Sequence, residues 1–518
     1  MIGAKVLTVL TVVGSIFILN PIARAEATAR HWTHEFDELT DGSSTDSGES
    51  AQEAEALSRS AGSGSWDQFL LKLPNSKFIQ WALSWSGVSP YEKNSEPPKA
   101  MSPASVQKIL TSTTALRVLG SDFRFANAFE AQLDSASNTV SKVEFSVSGD
   151  PTWAHPAYGE KLMDRMNLVI DRLKQQGVQK VVGPVQVVLN QPGLANFTRP
   201  EQWKQSWLLE CYATLPTAVT LNGNCATFRI ASTNQATWTT TGVSTPLDVR
   251  LSKSTHNSVE ITPVLDDYGR VAKYQIRGGF SSPSSFSVPV QNNETWLKNL
   301  FTIALKSAGI AYDEAASAPE SASENGATIP LFVDLSSKPL REILPPFLQQ
   351  SINLIADRLY LEVAYRLGSS RMDEPELQSL SLLLEDPNAT DGVVAFDGSG
   401  LIAADQLPAK TLRRYLEALR TQPYFSDFLQ GLPVAGKSGT MRSRLTGSLT
   451  SGRVFAKTGT IDGVANLAGY YLKADSTYEP FVIFTHSNLA ASTVRAQMDK
   501  LVTEFARQNT SLRISRKP

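Results

Sequence analysis

The 518-residue chain has only two cysteines and five histidines, which leaves little from which to build a metal centre. No HExxH and no paired Cys-x-x-Cys occurs, and His155, His256 and His486 stand alone in the sequence. His31 and His34 share a short window, but in a polar stretch where solvated side chains are the better reading. Zinc and iron–sulfur chemistry are therefore not expected, and no cofactor is called for. A basic surplus is missing as well. The 48 Lys and Arg face 50 Asp and Glu, a formal charge of -2, whereas nucleic-acid binders normally carry a basic excess or stripe. Long apolar runs are also lacking. The strongest spans residues 6–19 and is interrupted by Gly14 and Ser15, while a membrane span needs roughly twenty apolar residues.

That short run has another meaning. Lys5 precedes it and Ala23-Arg24-Ala25 follows, the layout of a secretory signal cut after Ala25. The mature protein is expected to be exported, to a periplasm or outside the cell, with no integral membrane span. An oxidising destination makes Cys211 and Cys225 a disulfide closing a short loop. Such a link is worth on the order of 3 kcal/mol on the chain-entropy estimate.

Hydrophobic content of 42% against 19% charged residues suits a folded chain of two or three domains. Residues 26–65 are acidic and Ser-rich without apolar periodicity and read as a disordered arm, and residues 314–328 read as a linker or long loop. Between them lie β-branched or alternating segments at 143–147, 181–189 and 271–276. The flanks differ. Residues 105–119 have a helical pattern stopped by Gly120, and residues 347–367 read as a helix following Pro345-Pro346. Strands at 464–471 and 481–485 and a helix at 491–506 complete the pattern. The expected architecture is α+β. A catalytic domain made of residues 66–122 and 334–508, an antiparallel sheet with helices on both faces, is split by a β-rich insertion at 123–333.

With no easy histidine triad, a serine activated by lysine is the available chemistry. Ser105-Val-Gln-Lys108 is the only Ser-x-x-Lys in the chain, and its spacing puts both side chains on one helical face. Alone it is a weak signal. Ser351-Ile-Asn353 adds a hydroxyl and an amide at the start of a helix, whereas Ser323-Glu-Asn325 sits in the loose linker. Lys457-Thr-Gly459 leads into an apolar strand and offers a cation, a donor and room for a substrate carboxylate to approach the backbone.

These three motifs, in this order, resemble the penicillin-recognising serine enzymes. Their flanks narrow the likeness: Pro103-Ala-Ser-Val-Gln-Lys108, Asp122-Phe-Arg-Phe125, Gly149-Asp-Pro-Thr152, Asn224-Cys225, Ser351-Ile-Asn-Leu-Ile-Ala-Asp357, Asp397-Gly-Ser-Gly-Leu401, Ala456-Lys-Thr-Gly459 and Asn466-Leu-Ala-Gly469. Over residues 66–508 the chain is similar to the class C low-molecular-mass penicillin-binding proteins, D-alanyl-D-alanine carboxypeptidases and endopeptidases. The long gap between the first two motifs matches that family's large insertion and exceeds that of class A β-lactamases. The resemblance implies peptidoglycan stem peptides as substrate and β-lactams as covalent inhibitors. It implies Ser105 as nucleophile and Lys108 as its base, with Lys108 made neutral by burial and by the nearby Lys457 charge. Ser351 would relay a proton and Asn353 would hold Lys108 and the substrate amide. Lys457 and Thr458 would bind the terminal carboxylate beside Gly459, and the N–H groups of Ser105 and Thr460 would form the oxyanion hole. The chain also departs from the family. Asn222-Gly223 and Ile402-Ala403 stand where relatives carry Asp-Arg and a basic residue, which implies a weaker preference for a charged diaminopimelate end.

Other readings fit less well. Gly431-Leu-Pro-Val-Ala-Gly-Lys-Ser438 matches the P-loop pattern of a nucleotide triphosphatase, but its flanks do not read as a strand entering a helix. Asp397-Gly-Ser-Gly400 is not an esterase elbow, because Asp397 occupies the place of its first glycine. A serine β-lactamase and an inactive peptidoglycan-binding protein are the remaining alternatives, and the intact motif residues speak against the second.

Overall fold

The computed structural model describes residues 66–85, 100–190, 199–266, 269–316, 328–369 and 373–511. The expected signal segment, the acidic arm and most of the 314–328 loop lie outside the described residues. The fold is α+β. One sheet has four antiparallel strands in the order Ile79–Trp85, Tyr478–Ser487, Val464–Leu472 and Val454–Ile461. The Lys457-Thr-Gly459 strand is therefore an edge strand.

Both faces of this sheet are covered, and alternation sorts the side chains between them. Ala468, Tyr470, Val482 and Phe484 pack with helices Lys108–Leu119, Leu340–Gln350, Asn353–Leu367 and Ala409–Leu419. Leu467, Tyr471, Phe481 and Ile483 pack with Val494, Met498 and Phe505 of helix Ala491–Ser511 and with Phe69 and Leu70. Burial on two sides is why residues 464–471 are apolar or small almost without interruption.

The sequence reading placed one helix at 347–367, but the chain forms two. Leu340–Gln350 contains Pro345 and Pro346 in its interior, and Ser351 then turns left-handed at φ 58° before Asn353–Leu367 begins. Two prolines remove two helical N–H donors. The helix forms nonetheless because Ile343, Leu344, Phe347 and Leu348 are all fully buried in the core. Packing here overrides propensity.

The intervening region has cores of its own. Strands Ala311–Asp313, Lys180–Val182, Thr139–Val147, Ala128–Asp134 and Thr328–Asp334 form a mixed sheet, and Gln186–Leu189 also pairs with Thr139–Val147. Helices Asp164–Gln175 and Asn293–Ala308 pack in its core through Met166, Leu173, Trp296 and Phe301. The 181–189 segment splits into two strands around Gly183, whose φ is 83°. Two three-stranded sheets share a smaller core of Phe228, Ile230, Tyr274, Ile276 and Val288.

Buried arginines join this region to the segments that follow it. Arg358, fully buried, donates to the Ser148 and Gly149 carbonyls at 2.6 and 3.0 Å and to Glu362 at 2.7 Å. Arg165 donates to Asp150 at 2.7 Å and to the Leu335 carbonyl at 2.8 Å. Removing one partner of such a buried pair leaves an uncompensated charge, at a cost of about 3–5 kcal/mol.

Candidate active site

Ser105 lies in the 3-10 turn Ala104–Gln107, which runs directly into helix Lys108–Leu119. In a 3-10 turn, side chains three apart eclipse. That brings Lys108 Nζ to 2.8 Å from Ser105 Oγ. Ala104, Val106, Gln107 and Lys108 are buried while Ser105 is half-exposed, so the hydroxyl is reachable and its support is not.

The turn is strained and clamped. Ala104 has a left-handed φ of 45°, a conformation non-glycine residues avoid unless their surroundings impose it. A Cβ on Gly459 would stand 2.7 Å from the Pro103 carbonyl oxygen and 3.1 Å from the Val106 nitrogen. One on Gly400, at φ +72°, would stand 1.9 Å from the Ala104 carbonyl oxygen. The edge strand and the 397–400 turn thus grip the turn that carries Ser105 from two directions, and Asn466 Nδ2 donates to the Ser102 carbonyl at 2.8 Å. The missing side chain of Gly459 therefore makes room for the protein's own backbone at 103–106, where the sequence reading had placed a substrate carboxylate.

Lys108 Nζ has two further partners, Asn353 Oδ1 and the Ser399 carbonyl, each at 2.7 Å. Asn353 cannot flip without loss, because its Nδ2 donates to the Tyr212 carbonyl at 2.9 Å. Burial pulls the Lys108 ammonium down to about 8, while the Asp357 and Asp397 carboxyls pull it upward. The expected help from Lys457 is felt in the other direction. Burial first, and the Lys108 charge second, hold Lys457 well below the usual lysine range. Asp357 is buried, and burial followed by the neighbouring Asp397 holds its carboxyl well above the usual range, with Lys108 opposing. Ser399 is its polar neighbour but reaches neither oxygen with full hydrogen-bond geometry.

The second half of the site faces the first. Ser351, at the junction of two helices, accepts a hydrogen bond from Lys457 Nζ at 2.7 Å, and the Thr458 carbonyl accepts another at 2.9 Å. Thr458 Oγ1 meets Thr440 Oγ1 at 2.8 Å. Thr460 is exposed on the same strand. The sequence-derived residues thus form two linked groups, Ser105–Lys108–Asn353 and Ser351–Lys457. The two lysines are close enough for the Lys108 charge to disfavour that of Lys457.

Thr440 belongs to the loop that resembled a P-loop. The preceding residues form helix Phe425–Gly431, and the following ones the 3-10 turn Gly439–Met441. Gly436 N–H donates to the Met441 and Arg444 carbonyls, and the Lys437 and Ser438 N–H groups donate to the Val434 carbonyl. Those groups are spent on the loop itself and present no cradle for phosphate. Lys437 is exposed.

Cys211 and Cys225 are disulfide-bonded, with Cα atoms 5.6 Å apart. The bond ties the 3-10 turn Cys211–Ala213, which carries the Tyr212 carbonyl bound by Asn353, to strand Cys225–Ser232. Gly223 is buried and accepts from Thr214 Oγ1 at 3.1 Å. Ile402 is 1% exposed, and its N–H donates to Asp397 at 3.0 Å.

Sequence reasoning missed several contributors. The Ser399 carbonyl and Asp357 stood inside quoted motifs but gave no sign of facing Lys108. The Tyr212 carbonyl, next to Cys211, and Thr440, two residues past the P-loop-like Gly431–Ser438 stretch, were marked by no motif for this site.

A reachable serine backed by a buried lysine, with a second serine–lysine pair beside it and no histidine bonded to either among the described residues, defines a serine acyl-transfer hydrolase of the penicillin-recognising kind. Residues 90–505 match the D-Ala-D-Ala carboxypeptidase 3 (S13) family, and the chain belongs to that family of serine-type carboxypeptidases. It is 25% identical over 418 residues to the D-alanyl-D-alanine carboxypeptidase DacB of Haemophilus influenzae, covering 76% of this chain and 83% of that one. It is also 33% identical over 146 residues to a D-alanyl-D-alanine carboxypeptidase of Actinomadura sp. (strain R39), 27% of each chain. The crystal structure of penicillin binding protein 4 (dacB) from H. influenzae shares the fold, with a TM-score of 0.64 at 21% identity over 88% of this chain and 99% of that one. Among the described residues no helix is long and apolar enough to cross a membrane.

Proposed function

We propose that this enzyme cleaves the terminal D-Ala-D-Ala bond of peptidoglycan stem peptides through an acyl-enzyme on Ser105. Endopeptidase cleavage of cross-links is a second outcome of the same chemistry. The observation that carries this reading is the set of partners around Lys108 Nζ. Two of its three contacts, Asn353 Oδ1 and the Ser399 carbonyl, can only accept hydrogen bonds. A neutral amine spends its two N–H groups on them, and its lone pair is left facing Ser105 Oγ at 2.8 Å.

The Ser105 proton then passes to Lys108 as Oγ bonds to the penultimate D-Ala carbonyl carbon. The N–H groups of Ser105 and Thr460 receive the oxyanion. The C–N bond breaks as the Ser351 hydroxyl gives its proton to the departing D-Ala amine and takes in exchange the proton that Lys108 had received, so Lys108 is a neutral amine again when water arrives. Lys457, Thr458 and the neighbouring Thr440 hold the terminal carboxylate, whose charge restores the Lys457 proton that burial disfavours. Water activated by Lys108 then frees the shortened peptide. In this reading the protein is exported, the catalytic unit comprises residues 66–122 and 334–508, and residues 123–333 are an insertion that supplies the Tyr212 wall.

A fluorescent penicillin tests the assignment. It should label the wild-type protein covalently and leave Ser105→Ala unlabelled. Lys437→Ala, which alters only an exposed side chain of the P-loop-like segment, should label as wild type. Normal labelling of Ser105→Ala would overturn the proposal.

A further inference from the structure

Behind the nucleophile helix lies a carboxyl group that the mechanism above does not use. Glu376, 2% exposed, reaches across from helix Glu374–Leu384 to helix Lys108–Leu119 and the turn before it. Its Oε2 accepts from Gln107 Nε2 at 2.5 Å, and its Oε1 lies 2.6 Å from Thr111 Oγ1. The same Thr111 Oγ1 lies 2.7 Å from the Gly398 carbonyl oxygen. Both distances are those of full hydrogen bonds, yet a hydroxyl has one proton to give. The Gly398 carbonyl can only accept, so the Thr111 proton belongs there. The contact between Thr111 and Glu376 then needs a proton from Glu376.

Proton counting therefore makes Glu376 a carboxylic acid that donates to Thr111, which donates in turn to Gly398. The next residue is Ser399, whose carbonyl holds Lys108 Nζ at 2.7 Å. We infer that Glu376 is a positioning residue held protonated in the working enzyme, and that its proton keeps the 397–400 turn, and through it Lys108, in place. Losing that proton turns the Thr111 hydroxyl toward the new carboxylate, because a charged acceptor binds it more strongly. The buried Gly398 carbonyl is then left without its donor, and the turn under Lys108 is released.

The surroundings agree. Burial, chiefly, raises Glu376 to about 8, with Asp397 and Asp373 adding to the rise and Thr111 and Gln107 opposing it. Asp405, Tyr360 and Tyr415 also face it. On the same helix, Lys108 is bonded to Ser105, Asn353 and the Ser399 carbonyl, and Arg117 donates to Ser379 at 3.0 Å. Among the described residues no group of three or more carboxylates, histidines or cysteines is arranged to hold a metal ion that would keep Glu376 charged.

The inference rests on Ser105 and Lys108 as the reacting pair, and the test separates the two. The limiting acylation rate by a fluorescent penicillin is followed from pH 6 to 10 in wild type, Glu376→Gln and Thr111→Val. Glutamine reproduces the neutral acid, accepting from Gln107 and donating to Thr111. Glu376→Gln should therefore acylate within about threefold of wild type at pH 7. It should also escape the alkaline fall of about tenfold or more that loss of one buried hydrogen bond implies for wild type. Thr111→Val, which cuts the relay, should be slow across the range and show no such fall. Infrared difference spectra at pH 7 should show a protonated-carboxyl band in wild type that Glu376→Gln lacks. Superimposable alkaline limbs in wild type and Glu376→Gln, or no band lost in that variant, would overturn the inference. A failure of the underlying assignment would look different, since Ser105→Ala would then still label.

Discussion

Replacing Gly459 by alanine adds one methyl group and tests how tightly the turn that carries Ser105 is held. The new Cβ would stand 2.7 Å from the Pro103 oxygen, 3.1 Å from the Val106 nitrogen and 3.2 Å from the Ala104 Cβ. Ordinary contact begins near 3.4 Å, so something must retreat by about 0.7 Å. All three obstacles belong to the 103–106 backbone or to a Cβ fixed on it, so no flexible side chain can swing aside. The edge strand is paired along its length to Val464–Leu472 and resists movement, so the 103–106 turn should yield instead. A 1 Å misplacement costs on the order of 100-fold in rate, so a shift of this size should slow acylation by roughly 10- to 50-fold. Overpacking should also lower stability by about 1–3 kcal/mol. Gly447→Ala is the control, because its Cβ would meet only Thr450 Oγ1, at 3.9 Å. Stopped-flow acylation with a chromogenic β-lactam and thermal unfolding measure both quantities. Gly459→Ala acylating within twofold of wild type, at unchanged melting temperature, would refute the clamp.

The remaining predictions concern charge, redox state and specificity. Lys108 falls from 10.5 to about 8, so its neutral, reactive form grows as pH rises toward 8, and acylation should climb close to tenfold from pH 6 to 7. A flat profile over that interval in stopped-flow acylation would contradict the base assignment, and Lys108→Ala should lose at least ~100-fold in the same assay. Non-reducing peptide mapping should recover one fragment linked through Cys211 and Cys225, whereas two alkylatable thiols in the native protein would deny the bond. Because Gly223 and Ile402 are buried and carry no charge, replacing a diaminopimelate end by an uncharged side chain should change kcat/KM by less than tenfold, measured by product analysis of synthetic stem peptides.

What the sequence made legible follows the range of the interactions involved. Ser105 and Lys108 interact across one turn, so their spacing was enough to pair them. Lys457-Thr-Gly459 announced itself through the apolar strand that follows. The P-loop look-alike could be set aside from its flanks alone, because phosphate binding needs a strand and a helix there. Contacts that bridge distant segments left no trace. Nothing near Glu376 in sequence points to Thr111, and only the fold brings the Ser399 carbonyl under Lys108. The break at Ser351 was hidden for a related reason. Pro345-Pro346 reads as a helix boundary, and burial of the residues around it moved that boundary to the serine.

The buried arginine on the Asn353–Leu367 helix bears on any attempt to simplify this enzyme. Arg358 pairs with Glu362 on its own helix and donates to the carbonyls of Ser148 and Gly149 outside it. Excising residues 123–333 to obtain a minimal β-lactam-reactive scaffold would strip those carbonyls away and leave a guanidinium sealed in an apolar interior. The same deletion would remove the Tyr212 carbonyl that orients Asn353. A stripped-down version would need Arg358 and Glu362 replaced together by apolar residues, and a new acceptor for the Asn353 amide, before it could fold around a competent site.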